Sequence, residues 1–256
     1  MARVPRRLGH AEEATLGEHL DELRTRVMVM LGALVLGTVV AFVFHNHVLD
    51  WLNRPLPANH NRVVALGVAE PFTITITVSL YAGFVLALPV ILWQLWLFLA
   101  PAFDPKAERR VLGLAVFAVV LAAGGIAFGY WVLLPRAIHF LTNYDNTHFQ
   151  HLIQAKPYYN FVVTVLVGIV LVFQTPLIVL ALVYLGILSS RTLRNQRRMG
   201  YLVTAAIALA LPGPDPVTTF LELLPMWALF EGSIWLAVLF ERRQARAAPA
   251  SATLGG

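Results

Sequence analysis

Acids placed at the mouth of an apolar run are the first residues whose type and spacing point to chemistry. The stretch HLDELRTR, His19 to Arg26, sets Asp21 and Glu22 beside Arg24 and Arg26 just before a long apolar segment. A carboxylate takes a guanidinium through two parallel hydrogen bonds, a fork that lysine cannot reproduce. Such an acid therefore reads an arginine, either a neighbour's or another chain's. Glu18, Glu22 and Arg26 lie four apart on one helical face. A Glu22–Arg26 pair of that kind is worth roughly 0.3–0.5 kcal/mol and is common on surfaces. From spacing alone the local pair is at least as good a reading as recognition.

A second acid stands in the same company. Glu108, in APAFDPKAERR, precedes Arg109 and Arg110 between two apolar runs. Alone it reads as a solvated loop acid offsetting its neighbours. Together, Glu22 and Glu108 make a better candidate for binding a peptide with closely spaced arginines. Within the apolar runs, polar groups are costly and mark functional or packing sites. Gln174, in LVFQTPL, lies two residues before Pro176, which frees a carbonyl one turn earlier and invites a polar neighbour or water. Interhelical hydrogen bonding explains Gln174 and Gln94 at least as well as a ligand role. Glu222 and Glu231 fall within the last apolar run. Disulfides and thiolate chemistry are excluded by the absence of Cys. His45-x-His47 and His148-x-x-His151 lack carboxylates at ligand spacing, so no metal site is expected. No nucleotide-binding or hydrolase motif is present, and neither an enzyme nor a cofactor is expected.

The elements that must position these residues are membrane helices. Of 256 residues, 58% are hydrophobic and only 13% charged, far from the balance of a soluble domain. A bilayer-crossing helix needs about 20 apolar residues. Apolar runs cover 27–44, 73–99, 111–134, 160–188, 201–211 and 217–240, the fifth visibly short. They lack period-2 alternation and so predict helices, giving an all-α protein with one six-helix domain over 1–246. Thr15 to Glu18 fits a helix capping box, and Leu16, Leu20, Leu23 and Val27 form a stripe. An amphipathic helix is therefore expected to run into the first span. Nothing in the early sequence reads as a cleaved signal, so that span is expected to be retained.

Six spans place both ends of the chain on one side. Fifteen of the 19 Lys and Arg residues fall on that side, which the positive-inside rule makes cytoplasmic. This also explains the net charge of +5 without nucleic acid. The two long opposite-face loops, about 45–70 and 135–159, carry Pro55, Glu70, Pro71, Phe72 and Tyr158 and predict an ordered cap. The Ala/Gly-rich tail 247–256 is expected to be disordered.

In order along the chain, these motifs resemble the TatC family, the core subunits of the twin-arginine protein translocase. HLDELRTR resembles the family's H-L-x-E-L-R-x-R signature; RPL at Arg54 and EPF at Glu70 resemble its first outward loop. PVILWQLWLFLAPAF followed by ERR, FQTPL, LR..RR, and PGPDP with LLPMWALFE are similar to its later segments. The resemblance implies a concave, glove-like bundle with short fifth and sixth helices. It implies a receptor for S-R-R-x-F-L-K-type signals of folded cargo, with Glu22, Glu108 and nearby Phe98 as the recognition residues. Arg24 and Arg26 would then anchor the helix to anionic lipid. Single-span TatA/TatB-type subunits, self-association and the proton-motive force are implied as well. Two positions depart from the family pattern: Gln174 stands where many relatives have Glu, and Glu108 follows one residue later than usual. Asp215 matches a family acid with no role derivable from the sequence. A small-solute secondary transporter is the alternative, Pro89 and Pro176 offering helix breaks, but the two halves show no repeat.

Overall fold

In lipid every backbone N–H and C=O must be satisfied within the protein, and a helix achieves this inside one segment. The computed structural model describes residues 16–56, 63–99, 108–144, 152–211 and 215–247. Those residues are almost entirely helical: α1 (Leu16–Val43), α2 (His45–Asn53), α3 (Glu70–Leu99), α4 (Glu108–Phe128), α5 (Leu134–Asn143), α6 (Ala155–Phe173), α7 (Thr175–Tyr184), α8 (Ser190–Asn195), α9 (Arg197–Ala210) and α10 (Pro216–Ala247). The protein is an all-α, multi-pass membrane protein.

Among the described residues, five helical stretches are long and apolar enough to cross a bilayer: Leu20–Val43, Glu70–Phe98, Gly113–Asn143, Ala155–Tyr184 and Pro216–Arg242. The fifth apolar run falls in α9, whose 14 residues extend about 21 Å against a hydrocarbon core of about 30 Å. The sixth helix, expected to be short, is not: α10 has 32 residues, of which Pro216–Arg242 is long and apolar enough to span a bilayer. Two further expectations change. The third run continues past Leu134 because a π-helical turn, Gly129–Leu133, precedes Pro135 and lets the helix go on as α5. The outward loop expected from residue 135 is thus helical to Asn143. The fourth run is two helices, α6 and α7, divided at Gln174.

The chain forms two compact units, residues 1–120 with 151–163, and residues 121–150 with 164–256. In the first, α1 and α3 pack antiparallel: Arg26 meets Gln94, while Gly37 and Thr38 meet Gly83. The seam needs those glycines. A Cβ on Gly37 would lie 2.6 Å from the Gly83 carbonyl oxygen, and one on Gly83 would lie 2.5 Å from the Thr38 Cα. Small residues let membrane helices approach closely enough for dispersion to hold them. Away from the seam α1 turns Leu31, Val35, Leu36 and Val39 outward, as a lipid-facing helix does.

The second unit has a buried apolar centre. Val179, Val183, Leu193, Phe230, Ile234 and Ala237 form one buried cluster, and Ile169, Val172, Ala208 and Met226 another. Gly200 leaves room for the Phe230 ring, which would overlap any side chain there.

Candidate functional site

Glu22 lies about two turns into α1. Its carboxylate forms an ion pair with Arg26, one turn on, with Arg26 Nε donating to Glu22 Oε1 at 3.1 Å. Arg26 Nη1 also reaches Gln94 Oε1 on α3 at 3.4 Å. The local helical pair is therefore formed. The Glu22 side chain nevertheless keeps 32% of its surface exposed, against 18% for Arg26. Arg24 is exposed.

The antiparallel register brings the Glu22 end of α1 to the Gln94–Phe98 end of α3. Phe98 is half-buried in the last turn of α3, and Glu108 opens α4. The eight-residue link 100–107 and the Glu108 side chain lie outside the described residues, so the geometry between the two acids is not set.

At the other end of the same unit Glu70, the first residue of α3, is held entirely by backbone. Its Oε2 accepts from Leu66 N at 2.8 Å and Gly67 N at 3.0 Å, and its Oε1 from Lys156 N at 2.8 Å. Val64 pairs with Ile153 and Ala155 beside it, each bond 2.9 Å. Tyr158 donates its hydroxyl to Leu52 O at 2.6 Å, and Tyr159 to Asn53 Oδ1 at 2.9 Å. These bonds tie the end of α2, the start of α3 and the start of α6 together, an ordered cap in the described part of the outward loops. Pro55 is half-buried in it, while Pro71 and Phe72 are exposed at the start of α3.

The intramembrane polar residues separate by partner. Gln174 is 3% exposed at the α6–α7 break, and its backbone carbonyl accepts from Leu177 N and Ile178 N. The carbonyl orphaned by Pro176 is that of Val172, and the Thr175 hydroxyl takes it at 2.6 Å. The expected polar neighbour exists and is Thr175. Glu231, on α10, accepts the Tyr201 hydroxyl and pairs with Arg197 Nη2 at 3.3 Å. Tyr201 also stacks edge-on against Trp227 and Phe230. Asp215 is the N-cap of α10: its Oδ1 accepts from Thr218 N at 2.7 Å and its Oδ2 from the Thr218 hydroxyl.

Sequence reading missed two residues of this kind. Glu241 clasps the start of α8 by accepting from Ser190 N at 2.7 Å and from the Ser190 hydroxyl; a lone acid before a basic tail gave no sign of it. Glu222, which the sequence places only within the last apolar run, is 1% exposed. Its distance of seven residues from Asp215, two helical turns, was the available signal. No group of three or more His, Asp or Glu suited to a metal occurs among the described residues.

Residues 18–225 match the family model described as Sec-independent protein translocase protein (TatC). The chain is 34% identical over 244 residues to the Sec-independent protein translocase protein TatCd of Bacillus subtilis, covering 94% of this chain and 98% of that one. It is 31% identical to the Aquifex aeolicus TatC, covering 90% and 97%, and 35% identical to the Arabidopsis thaliana chloroplastic TATC, covering 90% and 68%. Two crystal structures of the twin-arginine translocase receptor TatC, one of them in the detergent DDM, superpose with TM-scores of 0.76 and 0.77. Each is 29% identical to this chain and covers 86% of it. By sequence and by fold, this chain belongs to the TatC family.

Proposed function

We propose that this chain is the receptor subunit of a twin-arginine translocase in the cell membrane, with both chain ends cytoplasmic. One observation carries the reading: the arginine-rich end of the first unit presents, on a membrane-entry helix, a carboxylate already engaged with a guanidinium yet one-third exposed. The groups that hold Arg26 are those that would hold an incoming arginine. Glu22 and Glu108 take the arginine pair of a signal peptide, and Phe98 receives the apolar residue that follows. Arg24 faces anionic headgroups, and Arg26 divides its role between lipid and Glu22. Family membership favours this over a small-solute transporter.

Docking of the signal then nucleates assembly. Single-span TatA/TatB-type subunits and further copies of this chain pack against it, with Asp215 and the α9–α10 pair among the contacts. The proton-motive force drives transport of the folded cargo. Gln174 and Gln94 serve as hydrogen-bonding groups rather than charge carriers.

Binding of a fluorescent twin-arginine signal peptide to detergent-solubilised protein tests the reading. Arg-Arg and Lys-Lys peptides are compared on wild type, Glu22→Ala and Glu108→Ala. Truncating one partner of a desolvated charge pair costs about 2–5 kcal/mol, so Arg-Arg affinity falls at least about tenfold in either variant. Equal binding of both peptides to all three proteins would leave the acids as local ion-pair partners and refute the mechanism.

A further inference from the structure

Glu222 is a buried acid that the receptor reading does not use. It is 1% exposed on α10, and its Oε2 has no hydrogen-bond partner among the described residues. Asp215, Thr218, Glu222 and Met226 follow one another at helical spacing on one face of the helix, and all four are buried. Met226, one turn beyond Glu222, sits in the apolar cluster with Ile169, Val172 and Ala208, with Leu211 and Leu223 against it. The stripe therefore runs from a polar cap into a dry interior, and Glu222 is its last polar residue.

Among the described side chains, the other charged and titratable groups on α10 and on the elements packed against it are engaged elsewhere or exposed. Arg136 donates to Val132 O on its own helix, and His139 is exposed. Tyr130 stacks on Trp131 and Tyr184 on Phe240. Arg197 and Tyr201 hold Glu231; Glu241 holds Ser190; Arg191, Arg194, Arg198 and Arg242 are exposed. Asp215 is the charged neighbour that bears on Glu222. Both Asp215 oxygens are occupied by Thr218, so the open oxygen of the pair belongs to Glu222. An isolated ionised carboxylate in an apolar interior is so costly that such a group neutralises instead.

We propose that Glu222 is an intramembrane proton-binding site, two helical turns inside the Asp215 cap. Proton uptake forms one O–H bond at Oε2 as a hydronium ion in the water beyond the Asp215 cap gives up a proton and becomes water, and release reverses the step. On the orientation given under Proposed function, that water is on the outward face, and about 10 Å of helix separates Asp215 from Glu222. The site therefore faces the side from which a proton-motive force delivers protons.

Infrared spectroscopy of the full chain in lipid vesicles at neutral pH tests this. A protonated carboxylic acid has a C=O stretch that an ionised one lacks, and the band moves on exchange into D2O. One such band is expected in wild type, lost in Glu222→Gln and retained in Glu231→Gln, whose parent acid is paired with Arg197. Glu222→Asp, which keeps an acid at the site, is expected to retain a band at a shifted frequency and guards against misfolding of the Gln variant. Absence of the band, its survival in Glu222→Gln, or its loss on adding sodium would overturn the proposal, the last by showing a metal cation in the site. The spectrum is read without peptide, so failure of the receptor reading would leave it unchanged.

Discussion

Glu70, at one end of α3, accepts from the backbone amides of Leu66, Gly67 and Lys156, whereas Glu22, beside the other end of the same helix, holds one long side chain. Both acids are on the first unit and both are satisfied, yet they differ in what could replace the partner. An amide donor is fixed by the fold of its loop, so Glu70 closes a structure. A guanidinium on a flexible stem exchanges for any other guanidinium that arrives in better geometry, so Glu22 is open to competition. The chemistry of the partner, more than the presence of a salt bridge, separates a clasp from a receptor.

Both ends depend on the seam between them, and the largest effect is expected there. Gly83→Val would drive a branched side chain into the Thr38 backbone, which has no flexible end to move aside. Overpacking of this kind destabilises by about 3 kcal/mol or more. The expected outcome is loss of folded protein, followed by thermal unfolding or the yield of monodisperse material, with peptide binding and cap lost together. If Gly83→Val kept the cap but lost binding, the two ends would be independently folded and the comparison would fail.

The cap is sharpened by a smaller change. Tyr158→Phe removes the hydroxyl that donates to the buried Leu52 carbonyl and leaves that oxygen without its donor. A buried acceptor left unpaired costs about 1–3 kcal/mol. A lowered melting temperature with unchanged affinity for the Arg-Arg peptide is expected. A loss of affinity would mean that the outward cap and the cytoplasmic face are energetically coupled.

How much of this contrast could be read beforehand follows from the range of the interactions. Helices, the short fifth segment and the Glu22–Arg26 pair are set by periodicity within a turn or two, and sequence carries that directly. The freed carbonyl near Gln174 was legible, because Pro176 removes one donor at a known place, but not the division of the run there, since α3 continues through Pro89. The clasp on Glu70 was not, since its third donor, Lys156 N, comes from 86 residues away. Nor was the continuation of the third run through Pro135, where a π-turn absorbs a residue that ordinarily ends a helix. Glu231 stood in the sequence as an intramembrane acid, but its pairing with Arg197 and Tyr201 needs α9 folded against α10.

The finest test concerns Arg26, and its sign is informative. If Arg26 occupies Glu22 in competition with the signal peptide, Arg26→Gln frees the carboxylate and raises affinity for the Arg-Arg peptide. A partly exposed i,i+4 pair contributes at most about 1 kcal/mol, so the gain is bounded at roughly fivefold. Isothermal titration at two salt concentrations would separate this from a general change in charge. Screening weakens interactions between exposed charges more than those of partly buried pairs. A gain that persists at high salt identifies release of Glu22 itself. A fall in affinity would instead mean that Arg26, bridging Glu22 to Gln94 across the helix pair, holds the acid in its binding position. In that case Glu22 and Glu70 would be alike in being fixed by the fold, differing only in the strength of the hold.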